Sequence, residues 1–325
     1  MRYRKLGRTG LDVSEIGFGG WALGGGAWGN QTDADSVAAL HRAIDMGVNF
    51  IDTAAGYGNG RSERVIAEAL KGRREKVIVA TKTPPSPGPW PPTPRDRAED
   101  RYSDKYVRGN VEERLRLLQT DCIDLLQLHV WTRAWNRDPK PLEILRKLRQ
   151  EGKIRFFGLS TNDYDQDDCT TLIQRGEIDT IQLIYNLFEQ QPAAEALPEA
   201  EKNGVGVIVR VAFDEGSLTG KFTEQTRFGD DDFRSRLFGG DRLERTVRRV
   251  DKIKADLEGE DYTMPQAALK FVLAHPAVSV VIPGMRNAVQ AEANVAVSDL
   301  PDMPGALLDK LYKHAWARGN WYTGK

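Results

Sequence analysis

The sequence is poor in cysteine and histidine, and its opposite charges nearly cancel. Cys122 and Cys169 are the only cysteines among 325 residues and form no CxxC pair, which argues against a disulfide framework and a cysteine-based metal site. The four histidines never stand at metal-ligand spacing with acidic neighbours, so no metal site is expected. Lysine and arginine number 46 against 47 acidic residues, a net charge of −1, which argues against nucleic acid or an acidic membrane surface as a partner.

Long apolar runs are also missing. No run approaches the ~20 apolar residues that a membrane-spanning helix needs, so no membrane partner is expected. The N-terminal residues are charged and rich in turn formers, whereas a secretory signal needs a continuous apolar stretch. We therefore expect a cytoplasmic protein.

Short runs rich in valine and isoleucine alternate with amphipathic stretches, the pattern of repeated βα units around a parallel sheet. Eight strands are predicted, at residues 15–20, 48–53, 77–82, 123–129, 155–160, 179–184, 205–211 and 278–283. The clearest helix begins at Thr32, where Asp35 completes a capping box, and ends at Gly47. Eight strands without an intervening linker favour a single α/β domain over residues 1–325, a (β/α)8 TIM barrel, over an open doubly wound sheet.

Glycines after the first predicted strand allow a second interpretation. Gly17, Gly19 and Ala22 fit the phosphate-binding pattern GxGxxA, but glycine continues at 24–26, where the phosphate-binding helix should begin. No Walker-type GxxxxGK[ST] is present either. We therefore do not expect a Rossmann or P-loop nucleotide site.

Three long loops separate predicted elements. Residues 84–94 are rich in proline and carry Trp90 at their centre, whereas residues 129–141 and 212–241 each directly follow a predicted strand. In barrels, the loops at the C-terminal ends of the strands build the active site, and loops of this length are usually functional. The sequence thus predicts a site lined by these loops.

Four polar side chains close or follow predicted strands: Asp52, Tyr57, Lys82 and His129. Each alone has an ordinary structural explanation, such as a helix-capping aspartate or a satisfied core histidine. In a barrel, however, all four point into one mouth. An ammonium near a phenol lowers the phenol pKa from ~10, and a carboxylate orients the ammonium. Together they predict a tyrosine that donates a proton near neutral pH.

Six segments resemble the aldo-keto reductases, in the same order along the chain: FIDTAAGYGNGRSE at 50–63, ATK at 80–82, LLQLH at 125–129, YNLF at 185–188, GSLTGK at 216–221 and VIPGMRNAVQAEAN at 281–294. The resemblance implies a (β/α)8 barrel whose bottom is closed by an N-terminal hairpin. It implies NADP(H) binding without a Rossmann fold and reduction of a small-molecule aldehyde or ketone. Tyr57 would be the general acid, Lys82 and Asp52 its tuning pair, and His129 the group that orients the carbonyl.

The resemblance also implies a set of cofactor contacts. They are Gly20, Trp21 and Asp52 in the first half of the chain; Ser160 and Gln182 for the nicotinamide carboxamide; Arg210 against the nicotinamide ring; Gly216, Ser217, Leu218, Gly220 and Lys221 around the pyrophosphate; and Gly284, Arg286, Gln290 and Asn294 around the adenosine. Arg286 would bind the 2′-phosphate, which implies NADPH rather than NADH. Two positions depart from the usual pattern. Thr161 and then Asn162 follow Ser160, which leaves open which of them assists, and Arg210 replaces a tyrosine that many members have, although a guanidinium can also stack on a ring.

The substrate pocket should be apolar and aromatic. Its expected walls are Trp21, Tyr57, Trp90 and Trp131, with Trp135 contributed by a loop and Trp321 and Tyr322 at the rim. The carbonyl substrate and the oligomeric state are not indicated by the sequence. Two other functions remain open: a non-catalytic NADP(H)-sensing regulatory subunit, and a Schiff-base aldolase with Lys82 as its nucleophile.

Overall fold

The computed structural model describes residues 1–26, 28–29 and 31–316. In these residues a hairpin precedes eight parallel strands that neighbour one another in chain order. The strands are β1 (Tyr3–Lys5), β2 (Asp12–Ser14), β3 (Phe18–Gly19), β4 (Phe50–Asp52), β5 (Ile78–Thr83), β6 (Ile123–Leu128), β7 (Ile154–Ser160), β8 (Thr180–Ile184), β9 (Gly206–Arg210) and β10 (Val278–Val281). Parallel bridges from Ile16 to Val281 and from Gly19 to Gly284 join the last strand to the first. The predicted eight-stranded α/β barrel is confirmed.

Helices follow the barrel strands and cover the sheet. They are α1 (Asp33–Asp45), α2 (Arg61–Ala69), α3 (Ala98–Arg101), α4 (Asp104–Leu118), α5 (Pro141–Gln150), α6 (Thr170–Gln174), α7 (Ala196–Lys202), α8 (Arg234–Leu237), α9 (Arg242–Asp256), α10 (Met264–Leu273), α11 (Ala288–Val295) and α12 (Gly305–Leu311). The predicted cap of α1 is present, because the Asp35 amide donates to the Thr32 hydroxyl at 3.0 Å. Among the described helices, none has the length and apolar character needed to cross a bilayer.

The glycines of the first barrel strand serve close packing. A Cβ atom on Gly19 would lie 2.6 Å from the Ile282 carbonyl oxygen, and one on Gly20 would lie 2.6 Å from the Asp52 carbonyl oxygen. Both distances are shorter than side chains tolerate. Gly19 of the GxGxxA pattern is therefore explained by the close approach of β3 to its two neighbours, β4 and β10.

The N-terminal hairpin closes the end of the barrel where the strands begin. Strands β1 and β2 pair antiparallel and are joined by a turn at Gly7–Thr9. Leu6 and Val13 are fully buried and pack with Phe50, Leu125 and Ile208 of the barrel interior. With this end plugged by apolar side chains, the opposite mouth is left for polar groups.

Candidate active site

Asp52, Lys82 and Tyr57 form a contiguous polar unit at the C-terminal mouth. Lys82 lies in β5, and its ammonium donates to the Asp52 carboxylate at 2.5 Å, to the Thr53 carbonyl at 2.9 Å and to the Tyr57 hydroxyl at 3.3 Å. Lys82 is fully buried and Asp52 is only 2% exposed. Burial of an ion pair is costly unless its remaining polar atoms are hydrogen-bonded. The contacts of Lys82 with Thr53 and Tyr57 meet this need, so the Tyr57 hydroxyl lies against a buried and firmly held ion pair.

His129 follows β6 and faces the same unit. Its backbone N–H donates to the Thr83 carbonyl at 2.9 Å, and its ring lies 5.8 Å from the Tyr57 ring at an interplanar angle of 79°. The Nδ1 atom is buried and has no hydrogen-bond partner among the described residues. An imidazole held this way has hydrogen-bonding capacity left for a ligand.

Burial and neighbouring charges shift the pKa values of Tyr57 and Lys82. Burial raises the pKa of Tyr57, and Lys82 opposes this increase only in part. The expectation that Lys82 brings the phenol pKa below its usual value is therefore wrong for the protein alone, because desolvation outweighs the ammonium. Burial is the largest single influence on the pKa of Lys82 and lowers it, but the charges and hydrogen bonds of Asp52 and Tyr57 together outweigh burial, so that the pKa of Lys82 is raised and the amine stays charged.

The pKa of His129 moves in the opposite direction. Burial lowers it well below its usual value, and the positive charges of Lys82 and Arg210 lower it further. The imidazole is therefore neutral at neutral pH. A neutral ring beside the Tyr57 hydroxyl can hydrogen-bond to an oxygen without competing for the proton that the phenol carries.

Two glutamines contact Asp52 on the side opposite Lys82. The side-chain amide of Gln182 donates to Asp52 Oδ1 at 2.8 Å, and that of Gln127 is 3.4 Å from the same oxygen. Gln182 was expected in the cofactor site, whereas the sequence reasoning missed Gln127. The available signal was its position two residues before His129, in a strand whose only other polar residue is Asp124 near its start.

The residues expected to meet the nicotinamide surround this unit. Ser160 ends β7, is buried, and pairs with Gln182 in the sheet register. The Thr161 hydroxyl is bound to the Gln166 side chain at 2.8 Å, and the Asn162 side chain accepts from the Tyr164 amide at 2.9 Å. Thr161 and Asn162 thus both make contacts within their own loop, and which of them assists Ser160 at the nicotinamide stays open.

Arg210 ends β9 and reaches towards the same mouth. One guanidinium nitrogen contacts the Thr161 carbonyl at 3.1 Å and the Asp163 carboxylate at 2.7 Å. The Arg210 Nε atom is buried and has no hydrogen-bond partner among the described residues. The arginine is therefore anchored at its tip by Asp163, and its Nε–H keeps a donor that no described residue uses.

The loop after Arg210 has an unusual backbone. Val211, Asp214 and Glu215 adopt left-handed conformations, with φ values of 58°, 48° and 56°, which non-glycine residues enter only when the surroundings enforce them. Asn186 donates to the Val211 carbonyl at 2.9 Å, and the Ser217 hydroxyl donates to Asp214 at 2.6 Å. These bonds preform the loop around Gly216, Ser217, Leu218 and Gly220, with Lys221 exposed directly after it.

Of the predicted adenosine contacts, Gly284 and Arg286 directly precede α11, Gln290 lies in its first turn and Asn294 in its last turn. The Gln290 side chain accepts from the Arg286 amide at 2.9 Å, and Asn294 donates to the Gly284 carbonyl at 3.4 Å. The Arg286 guanidinium donates to the Gln31 side chain at 3.1 Å, a contact that the sequence did not indicate. A helix N-terminus beside an arginine favours an anion.

Aromatic rings frame the mouth above Tyr57 and His129. Trp21 is stacked at 6.2 Å on Tyr57 and is 36% exposed, and Trp90 lies 5.5 Å from His129 and is 54% exposed. Phe233, which was not predicted, lies 5.0 Å from the Trp21 ring. The loops at 84–94 and 212–241 therefore both contribute to this wall.

Two predicted aromatic contributors lie elsewhere. Trp131 is fully buried, donates its indole N–H to Asn136 at 2.7 Å and packs 5.2 Å from Trp135. Trp135 is 4% exposed. The expectations for both are wrong, because the chain after His129 turns into the core rather than along the rim. Trp321 and Tyr322 lie outside the described residues. Within the described part, no group of three or more His, Cys, Asp or Glu side chains is arranged to hold a metal ion.

Comparisons with known proteins agree with this architecture. Residues 15–313 match the sequence model of the Aldo/keto reductase family. The chain is 33% identical to the aldo-keto reductase YhdN of Bacillus subtilis, over 90% of this chain and 87% of that protein. It is 27% identical to a probable voltage-gated potassium channel subunit beta of Arabidopsis thaliana, with 96% and 95% covered. A Klebsiella pneumoniae aldo/keto reductase, solved in complex with NADP and acetate, superposes with a TM-score of 0.71 at 25% identity, over 96% of this chain and 95% of that chain. The chain therefore belongs to the aldo/keto reductase family of oxidoreductases.

Proposed function

We propose that the protein is an NADPH-dependent carbonyl reductase that converts an aldehyde or ketone into an alcohol, with Tyr57 as the proton donor. The observation that carries this proposal is the contact of 3.3 Å between the Lys82 ammonium and the Tyr57 hydroxyl, in a mouth that also holds the neutral ring of His129. A phenol against an ammonium is built to release its proton to an oxygen that gains negative charge.

The residues present fit a phosphorylated dinucleotide. Cationic side chains lie at Arg210, Lys221 and Arg286, and the preformed loop at 211–220 lies between the first two. The buried, unpartnered Nε of Arg210 has a donor left for a ligand. In the proposed arrangement Arg210 covers the nicotinamide, Lys221 and the loop amides hold the pyrophosphate, and Arg286 holds the 2′-phosphate. When bound, the nicotinamide supplies the hydride for the carbonyl carbon.

The protein's own groups handle the carbonyl oxygen. Tyr57 and His129 hydrogen-bond to that oxygen and stabilise the charge that develops on it. The Tyr57 Oη–H bond breaks as the alcohol O–H forms, which leaves a phenolate on the enzyme. Because burial raises the phenol pKa, this step depends on the Lys82 ammonium to stabilise the phenolate. Asp52 keeps Lys82 charged before the proton leaves.

We propose that the aromatic wall limits the access of water once cofactor and substrate are bound. Trp21, Trp90 and Phe233 offer apolar faces beside the two residues that bind the carbonyl oxygen. A dry mouth strengthens the interactions of Lys82 and His129 with a developing oxyanion. We propose that the carbonyl substituents lie against these rings.

The test is an assay of a broad aldehyde and ketone panel with NADPH and NADH, followed by loss of the reduced-nicotinamide absorbance. Turnover with NADPH on several carbonyls is the expected result. Tight NADPH binding without turnover on any carbonyl would contradict the proposal and favour a non-catalytic NADP(H)-sensing regulatory subunit. The similarity to a probable channel subunit keeps a regulatory role as the second candidate. An aldolase needs an uncharged Lys82 as nucleophile, whereas Asp52 holds it as an ammonium. Borohydride trapping of a substrate on Lys82 would contradict that argument.

A further inference from the structure

The carboxylate of Asp52 is held by different partners on its two oxygens. Oδ2 accepts from the Lys82 ammonium at 2.5 Å, whereas Oδ1 accepts from Gln182 at 2.8 Å and has Gln127 at 3.4 Å. All four side chains are buried, with exposures between 0% and 2%. The aspartate thus has one ionic side and one amide side.

The two glutamines reach Asp52 from different strands of the barrel. Gln127 lies in β6, directly beside Lys82 in the sheet register, and Gln182 lies in β8, beside Ser160. Their Cα atoms are separated by β7, yet their amides converge on one oxygen atom. Between them, Gly158 of β7 pairs with Gln127 on one side and with Thr180 on the other, so β7 places no side chain beside Gln127 at this level.

An amide pair in this position limits how the carboxylate can turn. A buried carboxylate oxygen that accepts no hydrogen bond is costly. Without the two amides, Asp52 Oδ1 would be such an oxygen. The carboxylate could reduce this cost by turning so that both of its oxygens share the Lys82 ammonium. The ammonium would then move with the carboxylate and away from the Tyr57 hydroxyl. Hydrogen bonds from neutral amides to an ionised group are strong enough to oppose this.

We propose that Gln127 and Gln182 are positioning residues that fix Asp52 Oδ1, so that Oδ2 holds Lys82 within hydrogen-bond distance of Tyr57. Only the expected effect on turnover rests on the proposed function. Its geometric part concerns the Asp52–Lys82–Tyr57 arrangement in the protein alone. Gln127 is the sharper probe, because Gln182 is also an expected cofactor contact.

The experiment compares Gln127→Met with the control Thr180→Val. Methionine preserves the length of glutamine and removes the donor. Thr180 is also fully buried in the barrel sheet, and its hydroxyl has no hydrogen-bond partner among the described residues, so valine changes polarity without releasing Asp52. We expect Gln127→Met to lower kcat about tenfold, the low end for a lost hydrogen bond to a charged group, with the Kd for NADPH within twofold of wild type. Thr180→Val should keep the wild-type kcat.

Two further measurements separate positioning from a structural role. A crystal structure of Gln127→Met should show Lys82 Nζ more than 3.5 Å from Tyr57 Oη, and the solvent deuterium isotope effect on kcat should increase because proton transfer becomes slower. An unchanged Lys82–Tyr57 distance with wild-type kcat would overturn the inference. So would an equal loss of kcat in Thr180→Val. If Gln127→Met does not fold, Gln182→Met carries the same test, with lower kcat and weaker cofactor binding expected together.

Failure of the proposed function is recognised separately. A wild-type protein that turns over no carbonyl contradicts the reductase proposal, and the crystallographic comparison still decides whether the glutamines position Asp52. Conversely, an active wild type whose Gln127→Met variant keeps its rate, isotope effect and geometry contradicts only the role of the glutamines.

Discussion

The Lys82 ammonium lies 3.3 Å from the Tyr57 hydroxyl, at the end of a chain of contacts that begins at Asp52. In the proposed reaction, this contact lets a phenol whose pKa is raised by burial lose its proton. The acidity of Tyr57 therefore depends on the Lys82 ammonium, which is held by Asp52 of the neighbouring strand β4.

Tyr57→Phe should abolish turnover while leaving the fold and NADPH affinity nearly unchanged, because it removes one hydroxyl and keeps the ring. A positioned general acid contributes roughly 10²- to 10⁴-fold. Single-turnover kinetics with fluorescence titration of NADPH would measure both quantities. A variant that keeps more than about a tenth of the wild-type turnover, in an assay limited by chemistry, would contradict the acid role.

Lys82→Met should lower the rate by a comparable factor, because the buried phenol loses the charge that offsets its desolvation. The double variant should be about as slow as Tyr57→Phe alone, since residues that act as one unit are strongly non-additive. Rates of the three variants, measured at saturating cofactor, complete this cycle. Additive losses would show that Lys82 acts independently of Tyr57.

Arg286→Ala should weaken NADPH binding about ten- to a hundredfold and leave NADH binding nearly unchanged. The reason is the loss of a charged partner for the 2′-phosphate, worth roughly 1.5 to 3 kcal/mol. Fluorescence titration of both cofactors with wild type and variant provides the comparison. Equal affinities of the wild-type protein for NADPH and NADH would exclude the preference.

Arg210→Ala should weaken cofactor binding by ~1 kcal/mol or more, in line with cation and stacking contacts at partly buried sites, and Arg210→Tyr should largely preserve it. Asp163→Asn provides a further comparison, because it removes the ionic anchor at 2.7 Å and leaves the guanidinium in place. We expect a smaller loss there than in Arg210→Ala. No effect of Arg210→Ala on either affinity or rate would place this arginine outside the site.

The stability of the protein should carry a pH dependence from His129. Its pKa is lowered by burial in the folded protein, whereas the unfolded chain has a pKa of ~6.5. The unfolded state therefore binds more protons as the pH falls below ~6.5, and the contribution of His129 to the free energy of unfolding decreases with it. Urea unfolding at several values between pH 7.5 and 5.5 should show a smaller decrease for His129→Gln than for wild type. Parallel curves would contradict the lowered pKa.

The tryptophans should separate into two classes. Trp90→Ala should raise KM for carbonyls with apolar substituents and change the free energy of unfolding little, because the ring is exposed at the mouth. Trp131→Ala should lower the free energy of unfolding by about 3–5 kcal/mol, the usual cost of removing a buried aromatic ring. Steady-state kinetics and denaturant unfolding of both variants test this contrast. A raised KM without loss of stability in Trp131→Ala would return that residue to the pocket wall.

Local patterns along the chain were sufficient for the barrel and for the polar residues at its mouth. Valine- and isoleucine-rich runs predicted all eight barrel strands, because a buried parallel strand needs apolar side chains on both faces. Asp52, Lys82 and His129 stood out because a polar group that closes such a strand is conspicuous in a short window of sequence. Parallel strands bring their carboxyl ends together, so the sequence alone predicts that these three groups and Tyr57 lie in one mouth.

What remained depended on distances between residues far apart in the chain. The convergence of Gln127 and Gln182 on one oxygen of Asp52, the contact of Phe233 with Trp21, and the burial of Trp131 all arise from how loops and strands pack in three dimensions. The direction of the Tyr57 pKa shift belongs here too, since desolvation is the sum of every group that excludes water from the phenol. Sequence determined which chemical groups are available at the mouth, whereas tertiary structure decided which of them touch and how far each is removed from water.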